Sequence, residues 1–301
     1  MLDEKQIQNL IKIDYSNFPI DTVELVGEGC DSAAFLINGK NIFLFAKQEE
    51  NIRQSKIEAS LLPLLSKYVT AKIPDIKFAS HTRNVGSYIG YEKLTGEPLE
   101  KEYLLSLSFE KRHPLIKGLV QFLVELHSFP VDIAKSLEVK VIDCKVEYEF
   151  LYKNAIELLY PLVNDTTKKY LEELFKLYLS DPNHFSYSPS LIHADLSPGH
   201  ILYDSAQNAI AGIIDFGDIQ ITDPHYDLKY FLTDYGTEIT KEIIELYSPG
   251  RSKKILEKVD FFVRCENFME IIDTIKTNEV STPELDDLQK EAVIWETSHS
   301  I

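Results

Sequence analysis

The sequence predicts an α+β fold of two lobes, in which a small antiparallel sheet precedes a larger, mainly helical lobe. Short alternating apolar runs separated by glycine and asparagine turns fill residues 1–94. Helical periodicity replaces these runs from Glu100 onward. The Thr-Gly-Glu-Pro run at residues 95–98 breaks both patterns, so we place the hinge there and the second lobe at residues 99–301.

Composition narrows the class of protein. The 301 residues are 44% hydrophobic and 26% charged, as is typical of a soluble globular protein. With 31 basic and 48 acidic side chains the net charge is −17. A nucleic-acid partner is excluded on this ground, because phosphate contacts need a basic face. An acidic surface suits a cationic small molecule, although many soluble proteins are acidic for solubility alone.

Targeting features are missing from the sequence. The N-terminus does not resemble a signal peptide, and no apolar run approaches the about 18 residues of a membrane helix. The three cysteines are widely spaced, which suggests reduced thiols rather than a disulfide framework. We therefore expect a cytoplasmic monomer without a membrane partner.

The first lobe begins with a helix over residues 3–12, capped by Asp3. A strand over residues 21–26 then enters a Gly-Glu-Gly-Cys-Asp turn, and a second strand follows over residues 33–37. A glycine-rich turn between two strands lets backbone N–H groups approach phosphates. An ordinary turn is the alternative interpretation.

The third strand starts after the hairpin turn at Asn38-Gly39 and covers residues 41–47. Because side chains alternate along a strand, Leu44 and Ala46 should share a face and Lys47 should point the other way. A helix over residues 53–68, kinked by a proline, and two strands over residues 73–78 and 87–94 complete the lobe.

The second lobe is predicted from apolar stripes at helical spacing. The predicted helices cover residues 113–126, with Pro114 in the first turn, 143–159 and 165–179, and further helical segments follow residue 228. The spaced aromatic residues of the lobe are interpreted as core rather than site. They are Tyr230, Phe231, Phe261, Phe262, Phe268 and Trp295.

Residues 191–218 are the centre of the chain. Two short apolar runs each deliver an aspartate at the end of a predicted strand, Asp195 in His-Ala-Asp and Asp215 in Asp-Phe-Gly. Phosphoryl transfer needs one carboxylate at the substrate hydroxyl and further ligands for Mg²⁺ at the nucleotide phosphates. A His-x-Asp motif, a metal ligand five residues later and a strand ending in Asp-Phe-Gly are the kinase arrangement. The sequence therefore predicts a protein-kinase-like fold.

Longer motifs make the resemblance specific. The run from His193 to His200 (His-Ala-Asp-Leu-Ser-Pro-Gly-His), the Gly-Ile-Ile-Asp-Phe-Gly-Asp run ending at Asp218, and Asp-Pro-x-x-Asp at 223–227 resemble the aminoglycoside phosphotransferase family, which is related to choline kinases. Nearly the whole chain is covered. The aminoglycoside 2″-phosphotransferases are most similar, because they share Gly-Glu-Gly at 27–29 and a histidine at position 200, where most of the wider family has asparagine.

The resemblance implies roles for the central residues. Asp195 would be the catalytic base, and His200 and Asp215 would bind Mg²⁺. Asp195, Asp218 and Asp234 would receive the ammonium groups of an aminoglycoside. GTP or ATP would be the phosphate donor. The implied nucleotide-binding residues are Gly27, Gly29, Ser32, Lys47, Glu58, Tyr91, Glu92, Leu94, Leu202 and Ile214.

Within that set, Tyr91 would favour GTP as a bulky residue before the hinge. Glu92 and Leu94 would offer backbone hydrogen bonds to the nucleotide base. Leu202 and Ile214 would sandwich that base.

Two positions depart from the subgroup. Leu44 stands where the third strand has a basic residue, so Lys47 supplies the cation for Glu58 only if the strand bulges or ends there. Thr233 stands where the subgroup has a glutamate near the substrate.

These observations leave three functions open. The first is an aminoglycoside kinase. The second, favoured by Leu44, is a nucleotide- or ligand-binding homologue with impaired catalysis. The third is a kinase of another amine-bearing or hydroxylated metabolite. The sequence leaves the acceptor, its hydroxyl and the choice of nucleotide undecided.

Overall fold

The computed structural model describes residues 2–83, 85–277 and 282–299. Contacts divide the chain into two compact units. The first unit comprises the chain up to Lys140 together with Ser190–Ile221, and the second comprises Val141–Pro189 and the chain from Thr222 onward. This division differs from the lobe boundary at residues 95–98, which stays a prediction.

The N-terminal part of the first unit is an antiparallel sheet with helices. Its elements are α1 (Glu4–Asp14), β1 (Val23–Glu28), β2 (Ser32–Ile37), β3 (Asn41–Ala46), α2 (Glu49–Leu65), β4 (Ile76–Ser80) and β5 (Tyr88–Glu92). The strands pair in the order β1-β2-β3-β5-β4, and all of their pairings are antiparallel. The predicted helix at the N-terminus and all of the predicted strands are therefore present.

Helix α1 is fixed at both ends. The Asp3 carboxylate accepts the Gln6 N–H, and the Gln6 side chain accepts the Asp3 N–H, each at 2.8 Å. At the other end, Arg83 donates to both carboxylate oxygens of Asp14 at 2.6 and 2.8 Å. These bonds from Arg83 lower the pKa of Asp14 to about 2, and the Tyr88 hydroxyl donates to the same carboxylate.

Strand β3 separates two environments. Phe43 and Phe45 are fully buried in a cluster with the apolar face of α1. Leu44 and Ala46 face the opposite side, toward a cavity that α2 also lines. The alternation predicted for this strand is confirmed, and the Asn38-Gly39 turn before it has the positive φ angles, 54° and 64°, of a tight hairpin.

The rest of the first unit carries a second sheet and short helices. Its elements are β6 (Glu97–Pro98), α3 (Lys101–Ser106), α4 (Phe109–His127), α5 (Val131–Ser136), β7 (Ser190–Ile192), β8 (Ile201–Asp204), β9 (Ala209–Ile213) and β10 (Gln220–Thr222), whose last residue belongs to the second unit. Strands β6, β8 and β9 pair in that order, so the predicted hinge segment forms the edge strand of this sheet.

Two predicted helix starts were too late. Helix α2 begins at Glu49 rather than residue 53, and α4 begins at Phe109 rather than residue 113. Pro114 therefore lies inside α4 instead of in its first turn. Because proline has no backbone N–H group, one hydrogen bond of the helix interior is missing. Extended Ser108 is the N-cap residue of α4, and Glu110 in the first turn suits the helix dipole.

The second unit is helical. Its α-helices in the described ranges are α6 (Cys144–Asn154), α7 (Asp165–Ser180), α8 (Thr237–Tyr247), α9 (Ser252–Lys276) and α10 (Thr282–His299), with π-helical turns at Ala155–Leu159 and Phe231–Tyr235. Aromatic packing dominates its interior: Tyr178 stacks on Phe261 with ring centroids 3.5 Å apart. Phe231, Phe261, Phe262 and Phe268 are buried, which confirms their assignment to the core. None of the helices in the described part of the chain is long and apolar enough to cross a membrane.

Gly96 precedes the edge strand β6, and its conformation is specific to glycine. Its φ is +134°, and a Cβ there would lie 3.0 Å from Leu202 Cβ and 3.1 Å from Ala211 Cβ. We expect Gly96→Ala to lower the free energy of unfolding by about 1–3 kcal/mol, because it adds backbone strain to a packed contact. Urea denaturation measures this loss. Gly39→Asn is the matched control, since asparagine tolerates the φ of +64° and open space surrounds that position. Equal stabilities of Gly96→Ala and the parent protein would contradict the expectation.

Candidate active site

His193 joins the two segments that deliver the central aspartates. Its ring is fully buried after β7. The Asp195 backbone N–H donates to His193 Nδ1 at 3.2 Å, so Nε2 carries the proton and donates to the Ile214 carbonyl at 3.1 Å. The imidazole therefore ties the loop that carries Asp195 to the backbone immediately before Asp215.

His200 lies between the two aspartates. Its Nδ1 is 2.8 Å from the Asp195 carbonyl oxygen and 3.2 Å from Asp195 Oδ2. These two neighbours are acceptors, so Nδ1 carries a proton, and Nε2 is the ring nitrogen left to act as a metal ligand. Nε2 is 3.3 Å from Asp215 Oδ2. The imidazole is thus oriented as a ligand on the side that faces Asp215.

These three side chains fit a metal ion. One donor atom from each of Asp195, His200 and Asp215 lies within 4.8 Å of the others. Carboxylate oxygens are the ligands that Mg²⁺ prefers, and imidazole is the softer member of the set. The backbone supports a specialised role for these loops, since Ala194 and Asp215 have φ angles of 68° and 65°, which non-glycine residues seldom adopt.

A cavity of about 520 Å³ in the first unit contains this cluster. The turn between β1 and β2, the half-buried Leu44 and Ala46 of β3, and one face of α2 form much of the rest of its wall. It brings together eight of the residues singled out from the sequence. They are Gly27, Gly29, Ser32, Glu58, Asp195, His200, Asp215 and Asp218.

Other predicted nucleotide contacts lie outside this lining. Tyr91 is buried in β5, and its pKa is raised by burial and further by the charges of Asp215 and Glu58. Glu92 is exposed and pairs with Lys40 at 3.6 Å. Leu202, on β8, is buried, and the Ile214 carbonyl accepts the His193 bond described above.

Two further predicted residues complete this account. The Leu94 side chain lies against Gly212 of β9. Asp234 belongs to the second unit, in its π-helical turn, and its predicted contact with an acceptor stays a prediction.

Lys47 does not pair with Glu58, which corrects the suggestion that it replaces the missing cation. Its ammonium donates to Glu28 Oε1 at 2.9 Å and to the Gly29 carbonyl at 2.6 Å. The side chain lines a different cavity, together with Phe45 of the same strand face. Strand β3 does not bulge, because its pairing with β2 is regular, and although it ends at Ala46, the Lys47 N–H still donates to the Asp31 carbonyl at 2.9 Å beyond the last strand pair. Alternation therefore directs Lys47 away from the cavity that holds Glu58.

Glu58 is consequently a buried acid without a cationic partner among the described residues. Its residue is 8% exposed on α2, and Leu44 lines the same cavity from β3. Burial raises the pKa of Glu58 to about 8, and the negative charges of Asp215, Asp218 and Asp31 add to the rise. The carboxyl group is therefore largely protonated at neutral pH.

Several cavity residues were not predicted from the sequence. Asn51 Nδ2 donates to Asp31 Oδ1 at 2.9 Å, which connects the start of α2 to the turn after β1. Gln54 lies one helical turn before Glu58, and its Nε2 is buried without a hydrogen-bond partner among the described residues. Cys30 also lines the cavity from the turn. The spacing of Asn51, Gln54 and Glu58 on a helix, at i, i+3 and i+7, is the signal that could have revealed this face.

The raised pKa of Glu58 predicts a pH-dependent stability. In the unfolded chain the group titrates at its ordinary value of 4.5, so between this value and about 8 the folded state holds a proton that the unfolded state has lost. The contribution to stability is therefore full below 4.5 and falls as pH rises. Glu58→Gln removes the effect, so the variant should gain about 3–4 kcal/mol relative to the parent as the pH rises from about 5 to about 8.

Chemical denaturation with EDTA at each pH measures this difference. Glu50→Gln, an exposed change on the same helix, is the control and should leave the two stability curves parallel. Parallel curves for Glu58→Gln as well would show that Glu58 titrates alike in the folded and unfolded states.

Similarity to curated proteins extends over part of the chain. It is 24% identical over 208 residues to the uncharacterized protein YcbJ of Bacillus subtilis. The match covers 67% of this chain and 65% of the relative, so it spans slightly less than two thirds of that protein.

Solved structures match over almost the full chain. The GDP complex of aminoglycoside 2′-phosphotransferase-IIIa has a TM-score of 0.89 and 29% identity, covering 97% of this chain and 98% of that one. The GDP and kanamycin complex of APH(2″)-IIIa has a TM-score of 0.85 at the same identity, covering 97% of each chain. The predicted kinase-like fold, an antiparallel sheet followed by a helical region, is confirmed by these matches. Residues 22–262 match the model of the phosphotransferase enzyme family, and the chain therefore belongs to that family.

Proposed function

We propose that this protein is a small-molecule kinase that transfers the γ-phosphoryl group of GTP or ATP to a hydroxyl of an aminoglycoside. The observation that carries the proposal is the arrangement of Asp195, His200 and Asp215, whose donor atoms converge within 4.8 Å in the cavity lined by the glycine-rich turn. Phosphoryl transfer needs a base, a metal site and a phosphate-binding turn in one place.

Each residue has a defined task in this proposal. The Asp195 carboxylate accepts the proton of the acceptor hydroxyl, and the hydrogen bonds through His193 hold its backbone in place. Asp215 and His200 Nε2 would hold Mg²⁺, which would supply positive charge to neutralise the nucleotide phosphates. Ser32 and the backbone around Gly27 and Gly29 face the phosphates from β1 and β2.

The relatives support the choice of donor and acceptor. A protein 29% identical to this chain is described as a GDP complex, and one at the same identity as a complex with GDP and kanamycin. Tyr91 supports guanine over adenine as a bulky side chain before the hinge segment. The net charge of −17 suits a polycationic acceptor. We propose Asp218 and Asp234 as contacts for its ammonium groups, and a cytoplasmic monomer as the working form.

Asp195→Asn tests the proposed base. It removes the proton acceptor and preserves the size of the side chain, so kcat should fall about 10²–10⁴-fold while the nucleotide still binds. Release of GDP or ADP with kanamycin and gentamicin as acceptors measures turnover, and mass spectrometry identifies the product. Asp132→Asn, at an exposed aspartate of α5, is the control and should retain full turnover.

Phosphorylated product at the parent rate from Asp195→Asn would contradict the role of the base. Absence of any phosphorylated aminoglycoside from the unmodified protein, with either nucleotide, would contradict the acceptor class. A screen of other amine-bearing or hydroxylated metabolites then tests the alternative kinase.

A second candidate function rests on Leu44. Its side chain lines the cavity at the position where a cation would face the phosphates, and Lys47 is bound to Glu28 on the other side of the strand. Catalysis of phosphoryl transfer needs positive charge at the phosphates as well as a base and metal ligands. If the missing cation at position 44 leaves too little positive charge there, the protein binds a nucleotide or another ligand but catalyses transfer poorly.

Leu44→Lys distinguishes the two candidates. An ammonium at this position would pair with Glu58 and face the phosphates, so we expect kcat/KM for GTP to rise about tenfold or more. Leu44→Met, a neutral change of similar volume, is the matched control and should leave kcat/KM unchanged. An unaltered kcat/KM in Leu44→Lys would mean that turnover is not limited by the missing cation.

A further inference from the structure

The charges that line the nucleotide cavity are nearly all negative. Six of the lining residues carry a carboxyl group: Glu28, Asp31, Glu58, Asp195, Asp215 and Asp218. Among the described residues of the lining, none is a lysine or an arginine. Part of this charge is used by the proposed metal site and by the proposed base. Glu58 takes part in neither.

Glu58 is the side chain whose environment indicates that a ligand binds. It is 92% buried, it lines the cavity, and the hydrogen bonds and ion pairs of the described residues do not include its carboxyl group. Burying a carboxyl group without a partner is costly, so such groups are normally paired. A partner that enters from solvent removes this cost.

The sheet side of the same cavity defines the shape of that partner. Leu44 pairs with Ala34 on one neighbouring strand and with Ile89 on the other, and all three line the cavity. The partner thus meets an apolar surface on the sheet and a carboxyl group on α2. A primary ammonium with a short carbon stem matches both, because the carbon packs on apolar groups while N–H donors reach the carboxylate.

Comparison of Leu44 with the basic residue that the resemblance leads us to expect at this position also sets the size. A lysine side chain extends two atoms beyond that of leucine, a CH₂ group and the ammonium nitrogen. Methylammonium consists of these two heavy atoms. Lys47 does not provide them, since its ammonium is hydrogen-bonded to Glu28 and Gly29.

We propose that the cavity binds a small primary ammonium ion between Leu44 and Glu58, and that this ion supplies the positive charge that the chain itself lacks there. The first part of the proposal concerns binding alone. The second part, that the bound ammonium strengthens nucleotide binding, rests on the proposed function, because it places the ion beside the phosphates.

Methylammonium chloride tests binding directly. The protein is labelled with ¹³C at glutamate carboxyl groups, and the Glu58 signal is assigned by its loss in Glu58→Gln. Methylammonium should shift the Glu58 signal saturably in the parent protein and in Leu44→Met, but not in Leu44→Lys, where the tethered ammonium occupies the site. Tetramethylammonium, which has no N–H donor, should give no shift at equal ionic strength. A Glu58 signal that responds equally to both ions, or that still responds in Leu44→Lys, overturns the proposal.

The effect on nucleotide binding is measured separately. The Kd of the Mg²⁺ complex of a non-hydrolysable GTP analogue is determined at constant ionic strength, with methylammonium or tetramethylammonium. Methylammonium should lower the Kd about fivefold or more in the parent and should have no effect in Leu44→Lys. An unchanged Kd in the parent overturns the second part. If the analogue does not bind to any form, the proposed function fails, whereas the Glu58 signal still decides whether the ammonium site exists.

Circular dichroism and thermal unfolding establish that Glu58→Gln, Leu44→Lys and Leu44→Met are folded. Leu44→Met preserves the neutral charge and volume at position 44, so it separates loss of the site from a general disturbance of β3.

Discussion

The imidazole of His200 fixes the spacing between the two carboxylates on which the proposed chemistry depends. One ring nitrogen is bound to the backbone carbonyl and near the carboxylate of Asp195, and the other faces Asp215. The ring can hold this position because the Ile214 N–H donates to the His200 carbonyl at 3.0 Å, which closes the two loops onto each other. The two carboxylates repel each other across the cavity, and these bonds hold the loops that carry them in place.

The second constraint is the alternation of side chains along β3. Two buried phenylalanines attach one face of the strand to α1, so the register of the strand cannot shift by one residue without exposing them. The residue facing the cavity is therefore fixed as Leu44, whatever charge the chemistry requires there. The neighbouring cation, Lys47, stabilises the glycine-rich turn instead, through Glu28 and the Gly29 carbonyl.

Much of this structure could be predicted because it follows from local pattern. Strand alternation, the Asn38-Gly39 turn and the cap at Asp3 depend on few neighbouring residues, and the structure has all three. The start of α4 depends instead on a balance of two effects. Residues before Pro114, such as Phe109 and Glu110, favour a helix, whereas Pro114 inside the helix costs free energy. The spacing of apolar residues in the sequence does not reveal which effect is larger. That the Lys47 side chain points away from Leu44 could be predicted from the alternation of side chains along a strand. That it pairs with Glu28 could not be predicted, because this pairing depends on how the glycine-rich turn folds in three dimensions.

The negative charge of the cavity opposes the binding of a nucleotide, and no single sequence motif reveals this. A nucleoside triphosphate is a polyanion, and the cavity that is proposed to hold it contributes carboxylates from the turn, from α2 and from the catalytic loops. Protonation of Glu58 reduces this repulsion at neutral pH, since its pKa is raised to about 8. The same protonation leaves the group a hydrogen-bond donor rather than an anion, and an arriving cation reverses this by favouring the charged form. If the cavity holds a nucleoside triphosphate as proposed, its affinity for the phosphates depends on cations taken from solution, and the position of Leu44 determines where one of them is needed.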